Sequence, residues 1–599
     1  MSTFAEVEKI ISQTFDIVII GGGTAGLCLA SRLSEDPKTS VLVLEAGQAN
    51  LDDPAILIPA QYAAHLGQKA YDWNFTTTPQ QYSNQTQFPW SRGKGLGGSS
   101  GINFLCWTKP PQEEIDDWER LGNPGWNWER YQKYLLQIEG YTSPSPKSTA
   151  AHGLNFDDWK IGKDGPLKLS HPATITLPEL KAYQTWFNLG IPKAPAPVSG
   201  NPKGAYFTPK TIDSTTFTRS YSATAFYLPN AHRPNLHVLL AANASRIITT
   251  PGSELRATGV EFFHSGRTYT VNANKEVILC AGALKSPQLL ELSGIGRKNV
   301  LDSLHIPVQL ELPGVGENVQ EHMFGGVTFE LAEGVDDVTM DILRDPAGRA
   351  EHLKLHEKGE GAFTLGITGF AFTSLASISD RAQSIYEAAR EKIKANWNSY
   401  SPGLQDQYKI QLERLENASP CEIILVPGFL SFPNPPAPGK KYITILFALN
   451  HNFSRGTIHA TSSNPEVDPA LDPHYFEEDV DLQTFVELVK FIRKMAQTAP
   501  FSEAIASPVD LNPGPSVSSD EQIGEFLKKY SGTTFHTIGS LSMLPREKGG
   551  VVDNRLKVYG TSNIRVADLS VVPLHFAAHT MTTAYSIAEQ AADIIKGKI

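Results

Sequence analysis

Phe15-Asp16-Ile17-Val18-Ile19-Ile20-Gly21-Gly22-Gly23-Thr24-Ala25-Gly26 is the stretch that decides the fold. Its first six residues form an almost continuous apolar, β-branched run, the composition a parallel strand needs when both its faces are buried. Gly21, Gly23 and Gly26 then follow at G-x-G-x-x-G spacing. Glycines at these places permit a tight turn, let backbone N–H groups approach a pyrophosphate, and deliver it to a helix N-terminus whose dipole favours negative charge. Residues 27–33 read as that helix, and Ser40-Val41-Leu42-Val43-Leu44-Glu45 reads as a second buried strand ending in an acid. Glu45 stands 19 residues after Gly26. There its carboxylate can accept hydrogen bonds from ribose hydroxyls and repel a 2′-phosphate, which disfavours NADP. Between FAD and NAD this βαβ unit alone does not choose.

The chain of 599 residues is long enough to bury a large core and to hold several domains or fewer interleaved ones. Hydrophobic residues at 41% and charged residues at 19% are ordinary globular composition, and a net charge of −11 argues against nucleic-acid binding. Cys28, Cys106, Cys280 and Cys421 are scattered through apolar stretches without C-x-x-C spacing, which predicts buried, inert thiols and neither disulfides nor a metal site. The opening MSTFAEVEKIISQT lacks the basic and apolar regions of a secretory signal, and no apolar run reaches membrane-spanning length. Sequons at Asn74, Asn84, Asn243, Asn417 and Asn452 act only in the secretory pathway, and Gly597-Lys598-Ile599 does not match the peroxisomal tripeptide. An intracellular, cytoplasmic protein without a membrane partner is the expectation.

Further strands are predicted near residues 238–240, 258–263 and 276–279, and a last one at 563–567 before a closing helix over 580–595. Between about 330 and 530 the character changes. Polar-faced helices are expected over 377–396 and 404–416, interleaved with apolar strands over 422–426 and 442–449, while the proline-rich stretches 432–438 and 508–518 read as loops. This region is expected to shape the substrate chamber.

Two longer segments settle the cofactor. Gly93-Lys94-Gly95-Leu96-Gly97-Gly98-Ser99-Ser100-Gly101-Ile102-Asn103, running on to Pro110 and Asp116, resembles the first signature of the glucose-methanol-choline (GMC) oxidoreductase family. Gly282-Ala283-Leu284-Lys285-Ser286-Pro287-Gln288-Leu289-Leu290-Glu291-Leu292-Ser293-Gly294-Ile295-Gly296 resembles the second, and the similarity runs from Phe15 to the end through Leu312-Pro313-Gly314-Val315-Gly316-Glu317-Asn318 and Gly550-Val551-Val552-Asp553. The resemblance implies an α/β fold. A Rossmann-like FAD-binding domain (1–158, 216–326 and 531–599) is interleaved with a substrate-binding domain (159–215 and 327–530) built on an antiparallel sheet with helices.

It also implies FAD, with the glycine-rich backbone lying flat against the flavin where any Cβ would intrude. Gly98, Ser99, Asn103, Phe104 and Leu105 belong to that seat. Some relatives attach the flavin through a histidine at the position matching Ile102; isoleucine cannot form that bond, so a non-covalent flavin is expected. The resemblance places Thr24, Ala25, Ala46, Trp73 and Arg92 beside the dinucleotide and the backbone of Ala244 at the adenine, where valine is commoner. Ala281, Asp568, Leu569, Thr580 and Met581 complete the implied contacts. For Trp73 and Arg92, packing or an ion pair is an equal reading.

Of 16 histidines, two stand apart by context. His536 in Thr533-Thr534-Phe535-His536-Thr537-Ile538-Gly539 and His579 in Phe576-Ala577-Ala578-His579-Thr580-Met581 match the family's active-site pair, the second of which is asparagine in many relatives. Alcohol oxidation needs a base for the hydroxyl proton while hydride leaves carbon, and an imidazole with an ordinary pKa near ~6.5 suits it. His536 is assigned as the base and His579 as the group that orients the substrate oxygen; His575 is assigned a structural role. The helix beginning near Thr580 is expected to stabilise negative charge on the reduced flavin. Departures from the family pattern are Thr537 for proline, Ser540 for threonine, and Phe104-Leu105-Cys106-Trp107-Thr108-Lys109 without the aromatic-Arg-Gly ending. Phe104 and Phe535 occupy positions aromatic in aryl-alcohol oxidases and are assigned to the substrate pocket. A primary aryl or allylic alcohol passing electrons to O2, a quinone or a dye is the expectation. A non-redox lyase or cyclase, using the histidines for acid–base chemistry beside a structural FAD, is the alternative.

Overall fold

The computed structural model describes residues 4–145, 149, 152 and 159–599. At its centre the strand Thr14–Ile20 runs parallel to Val41–Leu44 on one side and to Arg267–Leu279 on the other. Leu236–Leu239 extends the sheet beyond Val41–Leu44, also in parallel. The second edge of Arg267–Leu279 serves two partners in succession. Arg256–His264 pairs antiparallel along residues 267–272, and Ile564–Val566 pairs parallel along residues 277–279. Asn243–Thr250 closes the antiparallel part. Every side chain of Val41–Leu44 is buried, because helices cover both faces of a parallel sheet. Helix Thr24–Leu33 packs on Met581–Ile595, which is buried along its whole length except its last residue and mostly apolar or small, its buried acids Glu589 and Asp593 being paired with Arg32 of the facing helix.

The second sheet has six strands in the order Gly532–Thr533, Met323–Glu330, Tyr442–Leu449, Cys421–Val426, Gly369–Thr373 and Gly204–Phe207, antiparallel throughout. Helices Leu177–Asn188, Ala382–Ala395, Asp479–Ala496 and Asp520–Tyr530 share one buried core with it, centred on Val327, Ile445 and Phe485. Helix Ala382–Ala395 starts later than expected because Leu375–Ser377 forms a separate tight turn. Pro402–Arg414 starts earlier, since Ser401 accepts the Leu404 N–H and Pro402 sits in the first turn. The division at 326/327 expected from sequence falls inside strand Met323–Glu330, and Gly532–Thr533 pairs with the second sheet; the division at 158 lies outside the described residues. All four cysteines are buried and unpaired. Among the described residues no helix is long and apolar enough to cross a membrane.

Candidate active site

The nucleotide cradle is made by two glycine loops that meet. Helix Thr24–Leu33 begins at Gly23 with no side-chain cap, leaving its first N–H groups to a ligand. A Cβ on Gly26 would lie 1.9 Å from the Gly21 carbonyl oxygen, so only glycine lets the helix sit this close to the strand. Gly98, at φ +52°, faces Gly23, and its Cβ would come within 2.7 Å of the Gly23 Cα. The Gly97 N–H donates to the Gly22 carbonyl at 2.8 Å, and the Ser100 N–H to Thr24 Oγ1 at 3.2 Å. Glu45 is buried, and Ala46 beside it is half-buried. The Glu45 carboxylate accepts from the N–H groups of Gly22 (2.8 Å), Gly47 (2.8 Å) and Gly95 (3.1 Å), and burial raises its pKa against those three bonds. The acid read from sequence as a ribose ligand is therefore also the pin between the two loops.

Around this cradle, Ser99 Oγ accepts the Gly93 N–H at 3.1 Å. Asn103 Oδ1 accepts from the Leu105 N–H at 3.0 Å and from Arg219 Nη1 at 2.9 Å, while its amide donates to Met581 Sδ at 3.0 Å. Leu105 is held at φ +69°. Ala281 caps helix Gly282–Leu292, and Asp568 Oδ2 accepts the Gly282 N–H (2.9 Å) and the Ser286 hydroxyl (2.6 Å) just before the short turn Leu569–Val571. Ala244 is buried in strand Asn243–Thr250. Trp73 stacks on Phe75, with the Lys94 and Lys285 ammoniums 4.7 and 5.0 Å from its ring centre. Arg92 donates to the Thr537 hydroxyl and lies 3.6 Å from Glu321 Oε2. Thr580 caps the closing helix without a side-chain bond, so that N-terminus also offers free N–H groups. An uncapped helix, donor-rich loops and a seam that excludes Cβ atoms suit an extended dinucleotide bearing a flat ring.

His536 and His579 come together at the end of this cradle, their ring centres 4.8 Å apart. His579 Nε2 donates to Glu422 Oε1 at 2.8 Å, and its backbone N–H to Thr108 Oγ1 at 2.8 Å. Burial would depress the His579 pKa, but the buried Glu422 carboxylate outweighs it and, with the nearby Cys106 thiol, pushes it up to about 10. His536 goes the other way. Burial first, then the His579 imidazolium, the neighbouring His322 ring and the Arg92 guanidinium, hold it well below the usual imidazole range. Its backbone N–H donates to Glu321 Oε1 at 2.6 Å, its carbonyl accepts from His575 Nε2 at 3.0 Å, and its Nδ1 lies 3.0 Å from His322 Nδ1. Thr537, where the family carries proline, donates its hydroxyl to the same Glu321 carboxylate.

Glu321, His322 and Glu422 were not among the residues singled out from sequence. The first two follow directly on the Leu312 to Asn318 segment, and reading four residues further would have reached them. Glu422 sits in a strand that reads as plain core. Of the expected pocket aromatics, Phe104 stacks on Tyr62 with ring centres 5.3 Å apart, and Phe535 forms a left-handed turn at φ +63° immediately before His536. The ring that meets His579 is Phe370, edge-on at 5.3 Å. Cys106, expected to be inert, is buried next to His579, and burial is outweighed by Lys210 and that imidazole, so its pKa falls.

Comparison with known proteins agrees with this geometry. Family models described as GMC oxidoreductase match residues 15–324 and 452–588. The GMC oxidoreductase family protein Mala s 12 of Malassezia sympodialis is 35% identical over 98% of this chain and 93% of its own. An FAD-dependent oxidoreductase from Chaetomium thermophilum superposes with a TM-score of 0.89 at 30% identity, covering 98% of this chain and 99% of that one. A fungal aryl-alcohol oxidase superposes with a TM-score of 0.85 at 28% identity over the same shares. With a glycine cradle for a dinucleotide, a histidine pair at its end and end-to-end kinship in sequence and fold, this chain belongs to the GMC oxidoreductase family and is an FAD-dependent oxidoreductase acting on CH–OH groups.

Proposed function

We propose that this enzyme converts a primary aryl or allylic alcohol to its aldehyde, with His536 as the general base and His579 as the cation that holds the alcohol oxygen. FAD, which the loops at Gly23 and Gly98 and the helix end at Thr580 would hold, would supply the hydride acceptor, with O2 or a quinone-type compound as the oxidant that regenerates it. The observation that carries the reading is the divergence of the two imidazoles: His536 is held neutral and able to take a proton, and His579 is held charged by Glu422. Environments that push two neighbouring titratable groups apart assign the base and the acid. As the hydroxyl proton moves to His536, negative charge grows on oxygen beside the His579 imidazolium, which Glu422 holds through Nε2. Phe370 against His579 and the Tyr62–Phe104 stack favour a planar unsaturated substrate. Ile102, buried where a tethering histidine would stand, supports a flavin held without a covalent bond.

His536→Ala is expected to remain yellow and FAD-loaded while anaerobic flavin reduction by an aryl alcohol slows by roughly 10²–10⁴-fold, the range for loss of a general base. Stopped-flow bleaching at the wild-type rate would remove His536 from that role. If no alcohol in a panel of aryl, allylic and aliphatic alcohols bleached the wild-type flavin, alcohol oxidation itself would be excluded.

A further inference from the structure

His322 is fully buried behind His536, with both ring nitrogens engaged. Its Nε2 lies 3.1 Å from the Asn450 carbonyl oxygen and its Nδ1 3.0 Å from His536 Nδ1. Burial, reinforced by the neighbouring His575, His451 and His579 rings, keeps His322 neutral, so it carries a single N–H. A carbonyl oxygen only accepts, and that proton therefore sits on Nε2. The bare Nδ1 can only accept in its turn. His536, also neutral, must then place its one proton on Nδ1 to complete the bond, which leaves the lone pair on Nε2.

His575 locks the arrangement. Its ring stacks on His322 with centres 3.5 Å apart and planes at 23°, while its Nε2 donates to the His536 carbonyl and its Nδ1 accepts the Phe576 N–H at 3.1 Å. Rotation of either the His322 or the His536 ring breaks at least one buried hydrogen bond.

We propose that His322 is a positioning residue: through the relay from the Asn450 carbonyl it selects the Nδ1–H tautomer of His536 and presents Nε2 as the only basic atom to the substrate. The relay rests on His536 being the base proposed above. Without it, a neutral imidazole divides between two tautomers, and the Nε2–H form has no lone pair where the hydroxyl arrives.

The test is ¹⁵N NMR of the histidine-labelled holoenzyme, with His536 assigned by its absence in His536→Ala, alongside anaerobic flavin reduction by benzyl alcohol. The wild type is expected to show a protonated Nδ1 and a bare Nε2 at His536. His322→Leu, with no acceptor, is expected to populate the Nε2–H form and slow reduction by up to ~10⁴-fold, the scale seen when an active-site histidine is left in the wrong tautomer. His322→Asn, whose Oδ1 can accept the same proton, is expected to restore the tautomer and most of the rate. An Nε2-protonated His536 in the wild type would overturn the proposal, as would a His322→Leu protein that keeps the Nδ1–H form. A correct tautomer together with an undiminished His536→Ala rate would leave the relay standing and remove the base role instead.

Discussion

Two imidazoles in van der Waals reach of each other resist carrying a charge each, and here the buried Glu422 carboxylate, with Cys106 beside it, favours the charge on His579. Glu422 is fully buried and accepts from His579 at 2.8 Å. Because His579 has a folded pKa raised to about 10 against an ordinary value near ~6.5, its charged form stabilises the fold fully below the lower value, and the contribution is lost as pH rises through about 10. Glu422→Gln removes the strongest influence raising the His579 pKa and leaves burial opposed only by Cys106, so His579 should be neutral at neutral pH. In that variant the alkaline fall in the rate of flavin reduction is expected to move from near pH 10 to below pH 8, with at least a tenfold loss of rate at pH 8. A pH series of anaerobic reduction rates measures it. Since the two rings titrate jointly, the limb reports the pair and not one residue. An unmoved limb would show that Glu422 does not hold the charge.

Elements hold these residues in place, and Glu45 does so for the cradle. Its carboxylate joins the turn after strand Thr14–Ile20, the loop after Val41–Leu44 and the glycine loop at Gly95. Glu45→Ala orphans these buried donors at roughly 1–3 kcal/mol each, and Glu45→Gln keeps one acceptor oxygen. The alanine variant is therefore expected to melt several degrees lower and to retain less FAD, with glutamine between it and the wild type; differential scanning calorimetry and flavin absorbance of the purified proteins check this. Equal melting and flavin content in Glu45→Ala and the wild type would confine Glu45 to ribose contact or none. The strands joined here were legible in the sequence because strands buried on both faces read as unbroken apolar runs. Tyr442–Leu449 was equally plain for the same reason. Strand Gly204–Phe207 was not, being four residues long and paired through Gly369 to a strand far along the chain. Helix Leu177–Asn188 did carry a signal, the Thr176–Glu179 capping box with Pro178 in the first turn, but its mixed surface gave no clear stripe.

Over the whole molecule the proposed site draws together residues far apart in the chain, and that is the part a linear reading resolves least. His536 and His579 were found through their sequence context, whereas His322 reaches His536 across 214 residues and Glu422 reaches His579 across 157. Spacing along the chain cannot announce such contacts; they follow from strand Met323–Glu330 lying beside Gly532–Thr533, and Cys421–Val426 within the same sheet. The same convergence bears on how the flavin is kept. Ile102 ends the short helix Ser99–Ile102 that begins at Gly98, and it offers no atom for a covalent tether. With no tether from another residue, retention depends on the contacts of the cradle alone. Two consequences follow. Acid or heat denaturation is expected to release all of the yellow colour into the supernatant, and the melting temperature of the folded protein is expected to rise with added FAD, since ligand at a hundredfold excess over its Kd adds about 2.7 kcal/mol of stability. Filtration of the denatured protein and melts over a series of FAD concentrations measure both. Colour that stays with the precipitated chain, together with a melting temperature indifferent to added FAD, would mean that some residue other than Ile102 anchors the flavin.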